Sequence, residues 1–462
     1  MIKKITGYWW LPDNPNKKRY GILKIFYTKR STLEVKGIFV NKDDWSIFIN
    51  PEFILGESDE GKQITLFNCS EYTCSPNDSY YHIDTVFIGA HFKEENKINF
   101  VNVFVEYQYL NNWFIKNSTL DIKHYKNEKT KFSHAPQKSK KVNVVRNNLN
   151  LQLQIKTMLT GKASFGAGSI FNYKDQVIVQ IKQNSKKIIN FRDIRGIILL
   201  LQDLFSLIIQ STSYPIMISG VCNFKENRLL NPEIFVYFPL RGEPNMEKEF
   251  DYRSTLFFYR EAEDSLKGML KKWFENEERL KPVYTLYLSS LYNYDMYLEY
   301  KFLSLVQAIE AFHRIQYEGE SKYIKDDEYK AIIEVLRERS TDIIEKSFRE
   351  VLFNKLEYGN EYSLAKRFKI LFKEYFCEIF KVSKLDRNRF ISKVVKTRNY
   401  LVHQDKKLEA ISFRDKEYNN ANIILKTLIE IILLRELSFE NEKIELFYKK
   451  KIKHNNLILK FN

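Results

Sequence analysis

The chain has 462 residues, of which 44% are hydrophobic and 15% aromatic; this excludes a disordered polymer and leaves room for two or three domains, each with its own core. A formal net charge of +16 points to a polyanionic partner, nucleic acid ahead of a membrane surface, although an AT-rich gene would also give a Lys-rich chain. Four cysteines (Cys69, Cys74, Cys222 and Cys377) are too few for a disulfide scaffold and fit a reducing, cytoplasmic setting.

Residues 1–12 hold a two-residue basic patch and no apolar run of signal-peptide length. The stretch to about residue 120 predicts a β-rich domain. Residues 20–27, 32–40, 63–69, 85–92 and 98–107 alternate apolar or aromatic with polar side chains, and their even spacing suggests a sandwich-like or barrel-like sheet. Trp9 and Trp10 suit core packing better than a ligand-stacking platform. Residues 121–148 are polar and basic without a hydrophobic period, and read as a linker or exposed loop able to touch nucleic acid. Residues 149–260 form a mixed segment, with strands expected over 149–159, 176–181, 216–222 and 233–238. Its most apolar run, 194–209, is interrupted by Arg195, Gln202 and Asp203 and is short for a bilayer span, so it predicts a buried helix and no membrane association.

From residue 261 to 462 the period becomes helical. Helices are expected over 262–280, 294–317, 327–348, 361–380, 386–402 and 420–436, joined by connections short enough for an antiparallel bundle. The fold class read from the sequence is therefore α+β, a β-rich N-terminal half followed by an all-α C-terminal bundle.

The stretch 393–404 gathers the chemistry. Arg398 is a permanent cation that can fork onto a phosphate. His403 exchanges protons near neutral pH. Asn399 follows the arginine directly. Between residues 381 and 400, Lys381, Lys384, Arg387, Arg389, Lys393, Lys396 and Arg398 face one acid, Asp386, a local charge suited to a phosphate backbone. The bland alternative is an ordinary helix with a surface arginine and a histidine near its end. On a straight helix Asn399 and His403 share a face, whereas Arg398 and His403 diverge by about 140°. The two meet if the arginine sweeps round, if the helix ends or bends near Tyr400, or if a second copy faces the first.

Arg-Asn-x-x-x-His resembles the active-site motif of HEPN-domain ribonucleases. Residues 7–12 (Gly-Tyr-Trp-Trp-Leu-Pro), 54–57 and 64–67, then 302–314 (Phe-Leu-Ser-Leu-Val-Gln-Ala-Ile-Glu-Ala-Phe-His-Arg), then the Arg398–His403 motif, together resemble ApeA-like anti-phage proteins, which join a β-rich N-terminal domain to a HEPN bundle. The resemblance implies a homodimeric endoribonuclease without metal or cofactor. It acts on RNA, tRNA first among targets, answers a phage-derived trigger, and leaves 2′,3′-cyclic phosphate and 5′-hydroxyl ends. It also implies that His403 is general base or acid, Arg398 neutralises phosphoryl charge, and Asn399 orients the histidine or binds phosphate. Glu310, on an earlier helix, becomes a further candidate catalytic residue, with a surface salt bridge as its plainer role. Lys384, Arg387, Arg389, Lys393 and Lys396 become the RNA-binding set. A non-catalytic RNA- or protein-binding module, or an infection sensor, is the competing reading.

Other constellations are weaker. Glu310-x-x-His313 has the spacing of a metal-ligand pair but lacks the second copy a di-metal bundle needs. Cys69 and Cys74 with His82 and His91 could hold zinc, but the cysteine spacing is loose and free thiols fit better. Residues 161–168 are glycine-rich without the ending of a phosphate-binding loop and read as a flexible turn.

Overall fold

The computed structural model describes residues 3–41, 48–114, 120–124, 130–134, 138–164, 170–184, 188–222, 232–242, 249–375 and 386–455. The chain divides into two compact units, Met1–Glu275 with Leu291–Asn293, and Asn276–Ser290 with Tyr294–Asn462.

The first unit starts with six strands, β1 (Lys3–Trp10), β2 (Arg19–Ile25), β3 (Ser31–Lys36), β4 (Phe53–Ser58), β5 (Gln63–Cys74) and β6 (Asp78–Ile88). The alternation in each sequence sends one side chain in two inward: Leu23 and Ile25 of β2, and Leu33 and Val35 of β3, are fully buried. All pairings are antiparallel, and the order β1–β2–β3–β6–β5–β4 returns to β1, so the ring closes into a barrel. Closure needs a close approach at one seam. Gly56 pairs with Trp9 across β1–β4, and any Cβ at Gly56 would strike the Trp9 ring. Trp9 is fully buried and Trp10 nearly so, which makes both core residues.

The sheet continues beyond the ring. A short helix α1 (Leu110–Phe114) follows β7 (Asn99–Tyr107), and β8 (Leu120–His124) pairs with β9 (Thr130–His134) as a separate ribbon. Strands β10 (Lys140–Arg146), β11 (Leu149–Ser164), β12 (Ile170–Gln183), β13 (Ile189–Asn190), β14 (Pro215–Cys222) and β15 (Glu233–Tyr237) complete the main sheet, in the order β10–β11–β12–β7–β14–β15–β6. The stretch 121–148, expected as a linker or loop, thus contributes to three strands. Val142 and Val144 of β10 point into the core while Lys141, Asn143 and Val145 face out, a two-residue period hidden by the surrounding lysines and the exposed valine. Gly161 to Ser164, expected as a turn, extend β11. The apolar run is a buried helix, α2 (Phe191–Ile209), whose N-cap Asn190 accepts a hydrogen bond from the Asp193 N–H at 2.9 Å. Helices α3 (Tyr259–Ala262) and α4 (Leu266–Glu275) finish this unit, and the Trp273 indole N–H donates to the Leu200 carbonyl at 2.9 Å.

The second unit is helical, with α5 (Glu277–Tyr292) entering it, then α6 (Leu298–Gln316), α7 (Asp326–Arg339), α8 (Lys346–Leu356), α9 (Leu364–Tyr375), α10 (Arg387–His403), α11 (Lys406–Glu409), α12 (Lys416–Glu436) and α13 (Asn441–Asn455). Its core is the contact of α6 with α12, with α9 and α10 against them. Phe302, Leu305, Ile309 and Phe312, spaced by three and four, are fully buried on one face of α6. The expected helix over 327–348 breaks at Ser340, where the Ser340 and Thr341 hydroxyls donate to the Arg337 carbonyl and compete with the helical ladder. Among the described residues, no helix is long and apolar enough to cross a membrane. The fold class expected from the sequence, β-rich and barrel-containing and then all-helical, is the one observed.

Candidate active site

Helix α10 carries the motif. Asp386 caps its start, the carboxylate accepting from the Arg389 N–H at 3.1 Å. Phe390, Ile391 and Val394 bury the inner face. Thr397, fully buried, accepts from the Phe413 N–H at 2.9 Å and ties the helix to the segment that follows it. Gln404, in the left-handed region (φ 54°), ends the helix with its N–H on the Tyr400 carbonyl at 2.7 Å.

That stop comes directly after His403, so α10 continues through the whole motif. His403 is exposed in the last turn of the helix. Arg398 and Asn399 are half-buried. The Arg398 Nη1 donates to the Asn399 Oδ1 at 3.2 Å. The asparagine therefore engages the arginine, where the sequence reading also allowed it the histidine. Within one chain, Arg398 and His403 make no hydrogen bond to each other.

The charged surroundings are mixed. Arg389 and Lys396 are exposed on α10, as is Arg387. Lys393 lies 2.6 Å from the Glu417 carboxylate and over the Phe413 ring at 5.2 Å, so it is half-buried and committed within the chain. Lys384 lies outside the described residues. Sequence reasoning missed Lys406 and Lys407, exposed at the start of α11 just past His403 and set there by the Asp405 cap on the Lys407 N–H (3.0 Å). The Lys-Lys pair was visible in the sequence; the tight turn that brings it beside the histidine was not.

Glu310 is engaged elsewhere. Its Oε1 accepts from the Arg314 Nε and Nη2 at 3.3 and 3.2 Å. Arg314 also reaches Glu361 at 2.8 Å, and Glu361 meets the buried Arg367 at 3.3 Å. Among the described residues Glu310 makes no hydrogen bond to Arg398, Asn399 or His403. The adjacent His313 is fully buried, with Nδ1 3.2 Å from the Arg367 Nη1. Burial, and then the Arg367 and Arg314 cations, push its pKa down to about 4. Arg367 takes up the His313 Nδ1 and Arg314 the Glu310 carboxylate, so the two residues belong to a clamp between α6 and the entry to α9.

The cysteine–histidine set does not converge either. Cys69 belongs to the barrel interior, and burial pushes its thiol far up, while His82 stacks on the outward Tyr72 at 4.1 Å. The His91 Nε2 meets the Gly56 carbonyl at 2.8 Å.

Two family models match the chain, one described as ApeA N-terminal domain 1 over residues 4–273 and one as Apea-like HEPN over residues 303–443. No curated protein and no solved structure matches it. The first match spans more than half of the chain, the second encloses α10, and they follow each other in the order of the two halves. The chain belongs to the ApeA family, with an ApeA N-terminal domain 1 followed by an ApeA-like HEPN domain.

Proposed function

We propose that this chain is an anti-phage effector that cuts RNA, tRNA first among its targets, at a site made by Arg398, Asn399 and His403. The observation that carries the reading is the exposed His403 at the end of a basic helix inside an ApeA-like HEPN domain, with a half-buried guanidinium five residues before it. His403 takes the proton from a ribose 2′-hydroxyl as that oxygen attacks the adjacent phosphorus, or returns one to the leaving 5′-oxygen. Arg398 neutralises the charge that grows on the phosphoryl oxygens. Asn399 holds the guanidinium in place. The products are a 2′,3′-cyclic phosphate and a 5′-hydroxyl, and no step calls for a metal. Arg389, Lys396, Lys406 and Lys407 bind the flanking phosphates. Because α10 continues through the motif and sends the two side chains to different faces, the arginine of one chain meets the histidine of a second across a homodimer.

Sequencing RNA ends after induction checks the chemistry. Arg398→Ala and His403→Ala are each expected to lower cleavage by about 10²- to 10⁴-fold. Mixing the two inactive proteins then tests the shared site. Random pairing restores one intact site in half of the dimers, so roughly a quarter of the wild-type rate returns. No return of activity overturns the two-chain site, and wild-type cleavage by either single variant overturns the nuclease.

One observation favours a second reading. Arg398 and His403 diverge around the helix and do not meet within the chain, an arrangement that also suits a non-catalytic module holding RNA. Retention of intact RNA by the wild-type protein, without new ends, would decide for it.

A further inference from the structure

The β-rich unit contains a cavity of about 460 Å³ at the end of β5 and β6 beside β15, within the size range of small-molecule sites. From it we infer a binding site for a guanine nucleotide, resting on no part of the nuclease reading.

The floor is aromatic. Phe235 and Tyr237 are two apart on β15 and so share one face, and Ile88 of β6 lies opposite Phe235. Both aromatics pack partly against the barrel core, which fixes them, and leave ring surface to the cavity. Such a surface takes a flat ring by stacking.

The rim carries charge of both signs. Glu233 is exposed, and among the described residues its carboxylate has no hydrogen bond or ion pair. The Lys3 ammonium is likewise exposed and makes no hydrogen bond or ion pair among them, although it is close enough to attract the Glu60 carboxylate. Lys62 lies 2.7 Å from Glu60, but both side chains are more than half exposed, so the pair is weak and exchangeable. A ligand that satisfies this rim needs an anionic end for the lysines and a donor edge for the carboxylate, joined through a flat apolar body. Nucleotides have that build. A carboxylate accepts two parallel hydrogen bonds, and guanine offers N1–H and the N2 amino group side by side, where uracil offers a single N–H on that edge.

Isothermal titration of the full chain at fixed ionic strength tests the site. The probes are GMP, UMP, and a thymidine decamer with one central dG, which has no 2′-hydroxyl to cleave. GMP is expected to bind once per chain and UMP at least tenfold more weakly. Glu233→Gln is expected to weaken GMP at least tenfold, and Lys3→Ala to weaken it without changing the preference over UMP. Both side chains are exposed, so an unchanged thermal melt is expected for both variants. Binding of the dG decamer but not of free GMP, with the same dependence on Glu233, supports the site and assigns it to a guanine within a strand. The inference is overturned if neither probe binds at up to about 1 mM. Equal binding of GMP and UMP, or undiminished GMP binding by Glu233→Gln, also overturns it. None of these readouts uses cleavage, so they stand apart from the fate of the nuclease reading.

Discussion

Asn399 accepts a hydrogen bond from Arg398, its neighbour in sequence, which gives it a positioning role in the proposed site. Asn399→Ala is expected to lower the cleavage rate about tenfold, less than loss of Arg398 itself, because the guanidinium keeps its charge and loses only its tether. Single-turnover rates at saturating RNA check this, and a rate equal to that of Arg398→Ala would contradict it. His313 sets a pH dependence of stability. Its folded pKa of about 4 lies below the ordinary value near 6.5, so the unfolded chain binds the extra proton between those two values. Stability is thus complete above about pH 6.5 and falls toward pH 4, by about 3 kcal/mol in total. Thermal melts of wild type and His313→Gln across this range check it, the variant losing the histidine's share of the slope. At this scale residue types were legible in the sequence and their partners were not. Lys393 looked like one of seven similar cations, and only the folded chain brings it to Glu417, 24 residues onward.

Helix α12 shows the same limit one level up. Its apolar character was legible, but Asn422, Lys426 and Glu430 form a polar stripe at four-residue intervals through it. Glu430 is buried, with the Tyr287 and Tyr448 hydroxyls donating to it at 2.8 and 2.6 Å and Lys426 and Lys451 at 3.7 and 3.8 Å. Burial alone would raise its pKa; Lys451, Lys426 and the two tyrosines outweigh that and hold the carboxyl below its usual range. Burial pulls Lys426 down to about 8, against the attraction of Glu430. The stripe locks α5, α12 and α13 together. Glu430→Gln removes the buried carboxylate that balances the half-buried Lys426 and Lys451 and is expected to cost about 3–5 kcal/mol, read from denaturant unfolding. A loss below 1 kcal/mol would show that the lysines reach water. The break between α7 and α8 was illegible for a related reason, since a serine and a threonine in a helical run do not announce whether their hydroxyls will turn back onto the backbone.

Across the whole molecule, the strands of the barrel were readable from their alternation, but its closure was not. Closure is a statement about partners far apart in sequence, such as Trp9 with Gly56 and Lys36 with Asp78. The middle strands likewise reveal their place only by pairing, β12 and β14 flanking β7 from the N-terminal stretch. Gly56→Ala forces a methyl group into the Trp9 ring at the seam and is expected to cost about 1–3 kcal/mol. Hydrogen exchange should quicken across β1 to β6 and leave α6, α10 and α12 unchanged. Uniform quickening in both units would contradict two separately cooperative bodies. The ring also fixes an order of events during synthesis. Every strand in it precedes residue 89, and the arginine of the motif follows roughly 310 residues later. At a translation rate of about 5–20 residues per second, the ribosome needs roughly 15–60 s to cover that distance. The barrel has that interval in which to close before the arginine of the motif leaves the ribosome.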